Sequence, residues 1–151
     1  MALAAGDRIQ LEVTPDPYVT VRYAGASGDF NPIHIDEEFA RGAGLPGRIL
    51  HGLWTMAQVA RAVTDAVVAD SGEPADGPVV LRSLSVQFRS MGAIGEQITV
   101  AGEVAEVSAD GLVTIKLEAR QSGQRLVRNG RAELSVNTTA SAGGCAPLDR
   151  S

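Results

Sequence analysis

The sequence predicts an α+β fold in a single domain over residues 1–136, with an antiparallel sheet of about five strands laid against one long apolar helix. Three observations carry this. After one short strand, helical patterning fills the chain up to residue 69, and alternating, β-branched segments fill residues 79–136. Residues 52–69 (GLWTMAQVARAVTDAVVA) are apolar around most of a helical circumference, with only Gln58, Arg61 and Asp65 strongly polar, so other elements must wrap them. Turn-forming dipeptides separate the later segments. A chain of 151 residues is long enough for one well-buried core.

In chain order, residues 8–13 (RIQLEV) alternate polar and apolar and read as a strand, which Thr14-Pro15-Asp16-Pro17 must break. Residues 18–26 are mildly helical, and Ser27-Gly28-Asp29-Phe30-Asn31-Pro32 is dense in turn formers, so a loop is expected there. Asp36 is placed to cap a short helix running to Arg41, which glycines and Pro46 stop; a second loop leads to His51 and the long helix. After a Gly/Pro/acidic loop at residues 71–78, four strands are expected at 79–89, 97–107, 112–121 and 125–136. They should form a meander turning at Gly95-Glu96, Asp110-Gly111 and Ser122-Gly123. Residues 137–151 are small, polar and aperiodic, a disordered tail by composition. A sheet this small leaves edges to protect, so a dimer is expected.

Composition excludes several function classes. A net charge of −5 and a pI near 5.0 remove the electrostatic footprint of a general nucleic-acid binder. The lone Cys145 can form no internal disulfide, and no Cys-x-x-Cys pair offers a structural zinc site or a dithiol centre. With no apolar run of roughly 18 residues and no secretory leader, the chain is expected to be soluble and cytoplasmic, with no membrane partner.

Asp29-Phe30-Asn31-Pro32-Ile33-His34 puts a carboxylate and an imidazole on a segment that Pro32 stiffens. Their unperturbed pKa values, about 3.9 and 6.5, let one act as base and the other as acid or water-orienting partner, and such paired proton transfers suit addition or removal of water. The competing reading has Asp29 capping a turn and His34 satisfied in the core. His51-Gly52 opens the apolar helix, so the Gly52 N–H is an unpaired helix-terminal donor able to stabilise an enolate oxygen. The competing reading there is a simple helix-entry glycine.

Three patterns are decoys. Gly42-Ala43-Gly44-Leu45-Pro46-Gly47 satisfies G-x-G-x-x-G, but the preceding residues are helical and Pro46 spoils the turn a dinucleotide needs. His34-x-Asp36 with His51 has the composition of a two-histidine, one-carboxylate iron site, but it flanks a helix start. Asn137-Thr138-Thr139 matches a glycosylation acceptor that has no meaning without secretion.

The stretch Tyr23-Ala24-Gly25-Ala26-Ser27-Gly28-Asp29-Phe30-Asn31-Pro32-Ile33-His34, followed by Ile49-Leu50-His51-Gly52-Leu53-Trp54-Thr55-Met56, resembles the hydratase motif of the MaoC-like family. The likeness extends from about Arg8 to Val136 and is nearest the catalytic B-type subunits of (3R)-hydroxyacyl-ACP dehydratases. It implies the hot-dog fold, a curved antiparallel sheet around one long helix. It also implies reversible loss of water from a (3R)-3-hydroxyacyl thioester to the trans-2-enoyl thioester, in fatty acid or polyketide metabolism. Asp29 and His34 would be the catalytic dyad and Gly52 the oxyanion donor; Asn31 would order the loop, and Asn31, His51, Trp54 and Phe30 would border the substrate. No metal or other cofactor is implied. The expected partners are an acyl-CoA or acyl carrier protein thioester and a second hot-dog subunit, identical or different.

Two positions depart from the family pattern. Ser90-Met91-Gly92-Ala93-Ile94-Gly95-Glu96 replaces the usual proline and Pro-Gly-Asp turn, and Ala60 stands where some hydratases carry a serine. The alternatives to the dehydratase are a non-catalytic partner subunit and a hot-dog thioesterase. An acidic carrier would need basic groups near the site, for which Arg41, Arg48, Arg82 and Arg89 are candidates by their placement in or beside loops.

Overall fold

The structure, a computed structural model, describes residues 3–71 and 79–136. The tail at 137–151, Cys145 and residues 72–78 of the connecting loop lie outside the described residues. The order is β1 (Arg8–Val13), α1 (Val19–Ser27), α2 (Pro32–Ile35), α3 (Glu37–Gly42), α4 (Gly52–Ser71), β2 (Val79–Phe88), β3 (Ile98–Val107), β4 (Leu112–Gln121) and β5 (Gln124–Val136). Only α2 is not among the expected elements. Its start carries a helix signature: Asn31 is the N-cap, its side chain accepting from the Ile33 N–H, and Pro32 follows at the first helical position.

All strand pairings are antiparallel, and the sheet order is β1-β3-β4-β5-β2. The expected meander therefore holds for β3-β4-β5 and fails for β2. That strand pairs with β5 at the far edge, so Gly95-Glu96 is not a hairpin turn. The reason lies in the connection itself. Residues 89–97 have their backbone groups engaged elsewhere: Gly92 C=O accepts from Leu50 N–H, and Gly95 N–H donates to Pro15 C=O. A tight hairpin would have to give those bonds up.

One sheet face is apolar. Ile98, Val100 and Val104 of β3, Ile115, Leu117 and Ala119 of β4 and Ala132 and Leu134 of β5 are buried with Val59, Ala62, Val63 and Val67 of α4 in one core. Ile9, Gly102, Leu117 and Gly130 lie in register across four strands, and the missing side chain of Gly102 is what lets Ile9 and Leu117 close over it. The opposite face carries ion pairs such as Arg120–Glu118 and Arg131–Glu133. Register shifts in β2–β5, β3–β4 and β4–β5 mark bulges, which bend strands and increase twist. A sheet closed around one helix is the hot-dog arrangement. Among the described residues, no helix is long and apolar enough to cross a membrane.

Candidate active site

Asp29 and His34 come from consecutive pieces of backbone that local caps hold in place. Gly28 ends α1 in the left-handed conformation (φ 78°), where its N–H bonds Ala24 C=O, and the chain turns there into the loop. Asp29 Oδ1 accepts from the Asn31 N–H at 3.2 Å, and Asn31 Oδ1 accepts from the Ile33 N–H at 3.2 Å. His34 sits on α2 with its ring 8% exposed, while the Asp29 side chain is 53% exposed. The buried imidazole thus meets a carboxylate that faces outward.

The imidazole is pinned from a distant segment. His34 Nδ1 lies 2.8 Å from the Ile49 carbonyl oxygen, and because a carbonyl only accepts, Nδ1 carries the hydrogen and, in the neutral ring, Nε2 keeps the lone pair. Ile49 is itself held twice, by its N–H to Ile33 C=O at 3.2 Å and by a bridge to Ala93. Leu50 N–H adds a bond to Gly92 C=O at 2.9 Å. The 90s segment is in turn gripped by Gln121, only 5% exposed. Its amide accepts from Ala93 N–H at 2.7 Å and donates to Ala93 C=O at 2.9 Å and Glu96 C=O at 2.8 Å. Gln121 therefore supports the departure from the Pro-Gly-Asp turn, a role its place at the end of β4 gives no hint of.

Glu37 braces the same segment from outside. Its carboxylate accepts from Arg48 N–H at 3.1 Å and Arg41 Nε at 3.0 Å, and these bonds, the backbone N–H first, hold its pKa below the ordinary 4.5. Arg48 also donates to Pro17 C=O at 3.1 Å, and Arg82 donates to Ser135 Oγ at 3.0 Å. Three of the four arginines considered for carrier contact are thus engaged in holding the fold. Arg89 borders a groove of about 1040 Å³ lined also by Arg48, Ile49, Phe88 and Met91. That groove includes neither Asp29 nor His34. Ile49, whose carbonyl holds His34, is one of its lining residues.

His51 is 2% exposed and precedes α4, whose first turn bonds back to its carbonyl through the Trp54 and Thr55 N–H groups. Gly52, at the first helical position, has no N–H acceptor among the described residues. A Cβ at position 52 would lie 3.4 Å from the Phe88 ring. Phe30, Leu53 and Phe88, at 58%, 61% and 47% exposure, leave apolar surface around this end of the helix. Trp54 packs on the core and borders a separate concavity of about 390 Å³ with Tyr23 and Gln58. The structure thus gathers Asp29, His34 and His51, with Gly52 the next residue in the chain, while Trp54 lines the separate concavity.

A carboxylate oxygen of Asp29 and a ring nitrogen each of His34 and His51 lie within 4.8 Å of one another. Asp36 is not part of this group; it caps α3, accepting from Phe39 N–H at 2.9 Å. The two imidazoles stack with centroids 3.8 Å apart and planes 26° apart. Lone pairs on stacked rings run side by side and do not converge on one ion at the roughly 2.0–2.1 Å a histidine ligand needs. The chemistry this cluster suits is proton transfer.

Residues 5–128 match the profile of the family described as MaoC like domain. The chain is similar to the fatty acid synthase subunit beta of Aspergillus oryzae, 39% identical over 125 residues, which are 82% of this chain and 6% of that protein. It is similar to the peroxisomal enoyl-CoA hydratase 2 of Arabidopsis thaliana, 34% identical over 89 residues, 59% of this chain and 25% of that one. Among solved structures, the ChsH1-ChsH2 complex of Mycobacterium tuberculosis superposes with a TM-score of 0.75 at 27% identity, covering 89% of this chain and 98% of that one.

Proposed function

The chain belongs to the MaoC-like domain family, and from that premise we propose that it interconverts (3R)-3-hydroxyacyl and trans-2-enoyl thioesters by removing or adding water. The observation that carries the reading is the Asp29 carboxylate within 4.8 Å of a ring nitrogen of His34, next to the start of α4, where the Gly52 N–H has no acceptor among the described residues. In hydration, one water lies between Asp29 and His34 Nε2. Asp29 accepts one of its hydrogens and orients it. Nε2 takes the other as the oxygen attacks C3. The thioester oxygen gains negative charge and is met by the Gly52 N–H at the positive end of α4. The imidazolium then returns its proton to C2. Dehydration runs the same steps backward, and in both directions the proton count closes within the dyad.

Similarity to an enoyl-CoA hydratase and to fatty acid synthase β subunits supports an acyl thioester on CoA or an acyl carrier protein, in fatty acid or polyketide metabolism. The edge of β2, unpaired among the described residues, and the apolar surface around Phe30, Leu53 and Phe88 support a second hot-dog subunit over this end of the molecule, either a copy or a different chain. The ChsH1-ChsH2 complex is a related assembly.

The test is loss of the conjugated enoyl absorbance of crotonyl and longer trans-2-enoyl thioesters, on CoA and on carrier protein. Wild type should hydrate them, and Asp29→Asn or His34→Ala should reduce the rate by roughly 10²–10⁴-fold. Unchanged rates in both variants would refute the dyad. Release of free thiol without hydration would make the protein a thioesterase instead.

A further inference from the structure

His51 joins three pieces of the site and has one feature that packing alone does not explain. Its Nε2 lies 3.0 Å from the main-chain carbonyl oxygen of Asp29. A carbonyl cannot donate, so Nε2 carries the hydrogen and the lone pair sits on Nδ1, which is buried and has no partner among the described residues. A buried unpaired acceptor costs stability, so a side chain that only filled space here would be better apolar. What histidine supplies is a flat ring with a donor at its far edge. One side packs on His34 at 3.8 Å, the Tyr23 ring lies against it at 4.7 Å, and the edge reaches the Asp29 backbone. The next residue is Gly52.

We propose that His51 is a positioning residue, not a substrate contact: it fixes the Asp29 main chain by its Nε2–H, blocks rotation of the His34 ring by stacking, and thereby sets the spacing of both groups from the Gly52 N–H. The Ile49 carbonyl holds one edge of His34 and His51 covers one face, so Nε2 of His34 is left a single direction. Misplacing a reacting group by about 1 Å can cost roughly 10²-fold in rate. The proposal rests on the hydratase reading for its kinetic consequence and on geometry alone for the tautomer.

Three variants divide the role. His51→Gln keeps a donor near the Nε2 position, His51→Phe keeps the stacked ring, and His51→Leu keeps neither. The expected result is a fall in kcat of roughly 10²-fold for His51→Leu with KM little changed, and partial recovery in both the Gln and Phe variants. A wild-type kcat in the Leu variant, or a rise in KM with kcat retained, overturns the proposal. Nitrogen-15 NMR of histidine-labelled wild type is a second test that needs neither variants nor turnover. His51 should show a protonated Nε2 and bare Nδ1, with His34 the reverse; His51 protonated on Nδ1 alone overturns it. Absence of hydration by wild type with the expected tautomers refutes the hydratase reading and leaves the geometry of His51 standing.

Discussion

Replacing Gln121 with methionine, similar in length and unable to bond the backbone, removes three hydrogen bonds at once: Ala93 N–H at 2.7 Å, Ala93 C=O at 2.9 Å and Glu96 C=O at 2.8 Å. The two Ala93 groups are half-buried, and stranding each costs about 1 kcal/mol. Glu96 is exposed, so its carbonyl recovers water and contributes less. The buried thioether offsets part of the loss, leaving a net destabilisation of about 2 kcal/mol. For a chain of this size that corresponds to a drop in Tm of roughly 4–8 °C. The loss should not stop at stability. Ala93 bridges Ile49, whose carbonyl orients His34, so hydration activity below the melting range should fall with KM little changed. Urea denaturation at fixed protein concentration, with the m-value checked for constancy, reads the first effect, and steady-state kinetics reads the second. A midpoint indistinguishable from wild type would refute the role of Gln121 as the clamp of the 90s segment.

Three further outcomes are expected. Gly52→Ala brings a methyl to 3.4 Å from the Phe88 ring, which is half-exposed and can yield, so stability should change by no more than about 0.5 kcal/mol while hydration falls by roughly 10-fold or more as the thioester oxygen is crowded off the amide. Gly102→Ala puts a Cβ 2.8 Å from both Ile9 Cγ1 and Leu117 Cδ2 in the closed core, and should cost about 1–3 kcal/mol in urea denaturation. The Glu37 carboxylate is bound by the Arg48 N–H and by Arg41, so its folded-state pKa lies below the ordinary 4.5; its contribution is complete above that value and is lost as the pH falls through the folded pKa. The protection of the residue 47–49 amides, relative to their intrinsic exchange rates, should therefore fall on acidification below about pH 4.5, and Glu37→Gln should remove that pH dependence.

The elements were largely legible because their causes are local. Alternation in RIQLEV placed β1 at Arg8–Val13, and the apolar circumference beginning at Gly52 placed α4. Asp36 was readable as the cap of α3 because capping joins residues three apart. Asp29 and His34 could be put forward because they stand five residues apart in one segment, and Gly52 because it follows His51 at the start of the apolar helix. Strand order could not be read, since β2 against β5 depends on where residues 89–97 spend their hydrogen bonds. The Gln121 clamp joins residues 28 apart, and the bond from His51 to Asp29 spans 22, so neither leaves a periodic trace in the chain.

By itself, then, the sequence determined which segments, α2 apart, are helix and strand, and it put forward the carboxylate–imidazole pair with its helix-terminal glycine, all from neighbouring residues and backbone chemistry. Only the tertiary structure decided that His34 keeps its lone pair on Nε2, that His51 stacks on it, and that Ile49 and the 90s segment hold both in place. Each of those follows from contacts between distant parts of the chain, which form only when the sheet closes around α4 and brings them within hydrogen-bond reach.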